Sequence, residues 1–110
     1  MIIIPYIIST TWFPTHKVSE VVKKFLEVLK KFPPDDSLGE SVVPNAINTN
    51  KRGVISTGIL KVKEGKLEEA LTRSRNVLAL YQSLAEFEYK IEVWYTIEEA
   101  MAAIGQKMPD

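Results

Sequence analysis

The chain has 110 residues, with 14 lysines and arginines against 14 aspartates and glutamates, one histidine and no cysteine. A chain of this length folds as one domain, with a surface of roughly 6,000 Å² against roughly 18,000 Å² when extended, so its core needs no staples. The missing cysteine excludes a disulfide framework, a thiolate nucleophile and a cysteine-based zinc or iron–sulfur site, and the zero net charge supplies no general field for a polyanion.

The first segment, MIIIPYII, is the most apolar and is weighed first as an export signal. It lacks a basic leader, is interrupted by Pro5 and runs into Ser9, Thr10 and Thr11 with no clean cleavage site. It is also far shorter than the roughly 20 apolar residues of a spanning helix. The expectation is therefore no membrane association, a cytoplasmic location, and a β-strand over Ile2 to Phe13. Both alternating sets of that strand are apolar at its start, which predicts a central position in a sheet, with Pro5 near the strand start or at a bulge.

Pro14 stops the strand and Thr15 is the expected N-cap of a helix. Val18, Val21, Val22, Phe25, Leu26, Leu29 and Phe32 form one apolar stripe, Lys30 and Lys31 suit the last turn, and Pro33 and Pro34 end it. Asp35 to Gly39 reads as a loop. Two strands follow, Glu40 to Thr49 and Val54 to Lys63, joined by hairpin chemistry at Asn50-Lys51-Arg52-Gly53. Pro44 predicts an edge position for the first, and Gly58 a bulge or a close backbone approach in the second. After a turn at Glu64-Gly65, the spacing predicts a helix from Lys66 to about Ala85, then a half-buried strand over Glu86 to Tyr95 with period two. Thr96-Ile97-Glu98-Glu99 is a capping box opening a short helix that ends at Gly105. No linker, repeat or low-complexity tract divides residues 1–110, so a single domain is expected.

The order βαββαβ plus a terminal helix predicts an α+β, ferredoxin-like sandwich: a four-stranded antiparallel sheet, spatial order 4-1-3-2, with two long helices on one face. The other face then carries apolar side chains from the first and third strands and Trp94. A bare apolar face of several hundred Å² is unusual for a monomer, so a homodimer packed sheet to sheet is expected, with Ile7, Ile55 and Trp94 at the interface. The alternative cover is the short third helix.

The stretches IIIPYIISTTWFP, GVISTGILKVKEGKLEEAL and FEYKIEVWYTIEEAM resemble the dimeric α+β barrel group of ferredoxin-like proteins. That resemblance is architectural and spans nearly the whole chain. It implies a ligand space between sheet and helices or within the barrel, in a group that includes cofactor-independent monooxygenases and muconolactone-isomerase-like proteins. It carries no catalytic residue onto this sequence.

Several residues are candidates for chemistry, each beside a plainer reading. His16 offers an anion site or a general base at a helix start, or is simply a surface residue; alone it makes no multi-histidine metal site, and no metal is expected. Trp12, Tyr81, Trp94 and Tyr95 offer pocket walls or ordinary core and interface packing. Asn45, Asn48, Thr49 and Asn50 offer amides that orient a ligand, or edge-strand and turn chemistry. Glu88, Lys90 and Glu92 are acid–base candidates if enclosed, or a solvated guard against aggregation. The candidate ligand set is Trp12, His16, Asn45, Asn48, Tyr81 and Trp94. Nucleic acid is not expected: the RNA-recognition module of this topology stacks bases on sheet aromatics, and GVISTGILKV has none.

The leading expectation is a non-catalytic, self-associating domain that takes a small apolar or amphipathic ligand and no cofactor. The rival is a cofactor-independent enzyme of the monooxygenase or isomerase kind with Trp12 and His16 at the pocket mouth. A third is a subunit of a hetero-complex.

Overall fold

Pro5 is buried immediately ahead of strand β1 (Tyr6–Phe13), where its missing N–H costs the ladder nothing and its carbonyl accepts from the Val62 amide at 2.9 Å. The structure is a computed structural model that describes residues 4–107 and 109. Ile2 and Ile3, expected to begin the strand, lie outside the described residues.

After β1, Pro14 stays extended and its carbonyl accepts from the Lys17 amide at 3.0 Å, which closes a 3-10 turn over Thr15–Lys17. Helix α1 (Val18–Lys31) therefore starts later than expected, with Lys17 rather than Thr15 at its N-cap and no side-chain capping bond. The tight turn takes up the first amides that a Thr15 cap would have served. The Phe32 amide closes the last turn on the Val28 carbonyl at 2.7 Å, ahead of Pro33.

Strands β2 (Gly39–Asn50) and β3 (Gly53–Val62) form the hairpin. The Asn50 side chain accepts from the Arg52 amide at 2.8 Å, and Gly53 takes φ 125°. A Cβ there would lie 2.5 Å from the Phe13 carbonyl oxygen, so both conformation and space require glycine. β2 is an edge strand. Its register slips between Ser41 and Val43 and again between Val43 and Ala46, around Pro44, which cannot donate to the ladder. The Pro44 carbonyl then approaches Gly58 so closely that a Cβ would sit 3.1 Å from it.

Helix α2 (Leu67–Ala79) stops short of the expected end near Ala85 and tightens into a 3-10 turn over Leu80–Ser83. That turn buries Tyr81, whose ring stacks on Phe87 at 4.7 Å, with Phe13 on Phe87 at 5.9 Å. Glu86 reverses the chain at φ 66°, and strand β4 (Glu88–Trp94) follows, starting after the expected Glu86. Helix α3 (Ile97–Ala103) opens on the reciprocal bonds of Thr96 and Glu99, the Glu99 amide donating to Thr96 Oγ1 at 3.2 Å and the Thr96 amide to Glu99 Oε1 at 3.3 Å.

These elements make an α+β architecture with a four-stranded antiparallel sheet in the order β2-β3-β1-β4. Cross-strand partners share a face, so register sorts the side chains. Ile7, Ser9, Thr11 and Phe13 of β1 face the helices beside Leu60, Gly58, Ser56 and Val54 of β3. Tyr6, Ile8, Thr10 and Trp12 lie on the opposite, open face beside Lys61, Ile59, Thr57 and Ile55. Ile7, expected at an interface on the open face, is instead 1% exposed in the core with Val62 and Ala70. A second core cluster joins Val28 of α1 to Leu78 and Tyr81.

Between those clusters α1 stands away from the sheet. Val28 is the buried residue of the helix, whereas Val22 is 50%, Phe25 39%, Leu26 55% and Leu29 37% exposed. The radius of gyration is 16.0 Å where about 13 Å is usual for this length. The accessible surface, 7753 Å², exceeds the roughly 6,000 Å² of a compact chain by about a quarter.

Candidate ligand cleft

The space left under α1 is a cleft of about 640 Å³. This lies within the range of roughly 300–1,000 Å³ typical of small-molecule sites. Its roof is the stripe of α1, with Val21, Val22, Phe25, Leu29 and Phe32 at helical spacing. Its inner wall is α2, through Ala70, Ser74, Val77 and Leu78, and Tyr81 closes one end beside Phe87. Its floor is the helix-facing side of the sheet.

The floor is the unusual part. At positions where a helix-covered sheet ordinarily carries large aliphatic residues, β1 presents Ser9 and Thr11 and β3 presents Ser56 and Gly58. Ser9 lies opposite Gly58, and Thr11 opposite Ser56. These small residues in the middle of the sheet give α1 nothing to rest on, and the cleft is the consequence. Asn45 of β2 extends this polar strip, its side-chain oxygen accepting a hydrogen bond from the Ser56 hydroxyl.

Among the described lining residues Asp35 and Arg73 are the charged ones. The Arg73 guanidinium donates to the Pro33 carbonyl at 2.6 Å and lies 5.5 Å over the Phe32 ring. Hydrogen bonds from the Ser37 side chain and backbone hold the Asp35 carboxyl below the usual range, the backbone N–H donating at 2.9 Å. Burial pushes the Tyr81 phenol above its ordinary value.

The sequence candidates separate. Asn45 and Tyr81 line the cleft. His16 is 67% exposed in its side chain at the corner before α1, with Nε2 3.5 Å from Glu86 Oε1. Trp12 lies on the open face under Lys90, whose Nζ is 5.8 Å from the ring. Lys90 also pairs with Glu92 at 3.2 Å. Trp94, 55% exposed, and Asn48 share that face, opposite Tyr6 and Ile55 respectively. Ser9, Thr11, Ser56 and Gly58 are cleft residues that the sequence reading does not single out as a site. Their signal is small residues at alternate positions of two strands whose remaining residues are largely apolar.

Among the described residues, no group of three or more histidines, aspartates or glutamates is placed to hold a metal ion. No helix among them is long and apolar enough to cross a membrane. Comparisons with protein families, curated proteins and solved structures give no match for this chain.

Proposed function

We propose that this chain is a ferredoxin-like domain that binds a small amphipathic molecule between α1 and the sheet, and that it works as a self-associated pair. The observation that carries the first part is the hydroxyl-lined floor beneath an apolar helix stripe. An amphipathic guest satisfies both surfaces at once. Its hydrocarbon side covers Val22, Phe25 and Leu29, and burying such a side chain fully is favourable by about 1.5–3 kcal/mol. Its polar side meets Ser9, Thr11 and Ser56. The four-stranded antiparallel order and the placement of both long helices against one side of the sheet support the ferredoxin-like reading. The second part is supported by the open face, where Ile8, Trp12, Ile55 and Ile59 are neighbours across β1 and β3, and by the extra accessible surface.

Nile red, a neutral dye that fluoresces in apolar surroundings, tests the binding. It should saturate at one molecule per chain, and Ser9→Leu, which places a large side chain opposite Gly58, should abolish the signal. Equal fluorescence from wild type and Ser9→Leu would remove the cleft as the site.

A further inference from the structure

The cleft also constrains its occupant, and we infer, resting on the ligand-binding reading above, that it prefers a neutral molecule carrying a hydroxyl or carbonyl group on an otherwise hydrocarbon frame over a bare hydrocarbon or an anion of the same shape. The polar side chains that the sheet gives the cleft are all neutral: Ser9, Thr11, Ser41, Asn45 and Ser56. Cross-strand neighbours have Cβ atoms about 5 Å apart and diagonal ones about 7–8 Å, so Ser9, Thr11 and Ser56 form one patch the size of a single functional group and its neighbour. The Ser56 hydroxyl gives its proton to the Asn45 side-chain oxygen. That leaves the Ser56 oxygen as an acceptor and the Asn45 amide nitrogen as a donor, a pair matched to an alcohol or a carbonyl.

An anionic head on this floor would shed water without meeting a free counter-charge, and that desolvation is costly. Arg73 does not supply one. Its guanidinium is committed to the Pro33 carbonyl and the Phe32 ring, and Asp35, also lining the cleft, carries the opposite charge. A carboxylate near Arg73 therefore meets Asp35 as well.

Three probes of one shape test this selectivity: 1-naphthol, naphthalene and 1-naphthoate, titrated into the intact chain at pH 7 and followed by amide chemical shifts. 1-Naphthol should bind about fivefold tighter than naphthalene, the worth of one net hydrogen bond, and at least about tenfold tighter than 1-naphthoate. Shifts should centre on Ser9, Thr11, Ser56 and Leu29. The double variant Thr11→Val, Ser56→Ala should bring 1-naphthol and naphthalene to within about twofold of each other. If 1-naphthoate binds as well as 1-naphthol, or naphthalene does, while shifts stay in the cleft, the selectivity inference is wrong and the cleft still binds. If none of the three shifts cleft residues, both the selectivity and the binding reading fall. Should the double variant not fold, the wild-type series of three probes is sufficient to uphold or overturn the selectivity.

Discussion

Ser9 is the residue on which the cleft turns. Its side chain sits on the helix face opposite Gly58, where a core position would hold an aliphatic group. Ser9→Leu should fill that gap and raise stability by about 1 kcal/mol, read as a higher urea midpoint at unchanged slope. Gly53→Ala should do the reverse. With φ 125° and the Phe13 carbonyl in the way, the change should cost about 2 kcal/mol in the same assay. Tyr81 gives a pH signature. Its phenol is raised above the unfolded value of 10.0, so its contribution is fully present below pH 10 and is lost as pH rises through the folded value. Tyr81→Phe should therefore lose less stability than wild type between neutral and strongly alkaline pH. Side-chain phase is what the sequence leaves open at this scale. Ile7 and Ile8 are both apolar, so period two alone does not say which faces the helices, and the expected interface position of Ile7 fails for that reason. Once Ile7 enters the core, Trp12 and Trp94 fall on the open face, away from Tyr81 and Asn45.

At the scale of elements, strong local signals translate directly. Pro44 marks an edge strand, the central positions of β1 and β3 follow from their two-sided apolar character, and Thr96 and Glu99 form the reciprocal cap. Thr96→Ala should weaken α3 by about 1 kcal/mol, seen as faster amide exchange confined to Glu98–Ala103. The end of α2 is not legible in the sequence. Neither glycine nor proline marks Ala79, and beyond it Tyr81 stacks on Phe87, whose ring stacks in turn on Phe13 of β1, a contact made across the fold. The stripe of α1 is legible as a stripe, yet its distance from the sheet depends on Ser9, Thr11, Ser56 and Gly58, residues on two other elements. Helical periodicity says which face is apolar and is silent about what that face meets.

The whole molecule is wider than its length requires, with extents of 49 × 32 × 19 Å and about a quarter more surface than a compact chain. Two features contribute: α1 held off the sheet, with Val22, Phe25, Leu26 and Leu29 exposed, and the edge strand β2, exposed along nearly its whole length. The open sheet face bears the half-buried Ile8, Trp12 and Ile55. α3 leaves Trp94 55% exposed on that face, with its own Ile97 at 60% and the following Ile104 at 75%. A stable pair buries about 1,600 Å² in total, which a sheet-to-sheet contact can supply. Light scattering at micromolar concentration should give the mass of two chains, and Ile8→Lys, at the centre of the face between Ile59 and Glu92, should give the mass of one. A wild-type chain with the mass of one would set the pairing aside and leave the cleft untouched.

The cleft itself is tested most directly by proton–proton nuclear Overhauser contacts in solution. An open cleft predicts no contacts from the Phe25 and Leu29 side chains to Ser9 or Gly58 in the free chain, and contacts from both sides to bound 1-naphthol. Direct contacts between Phe25 or Leu29 and Gly58 in the free chain would mean that α1 lies on the sheet, and that no ligand space exists.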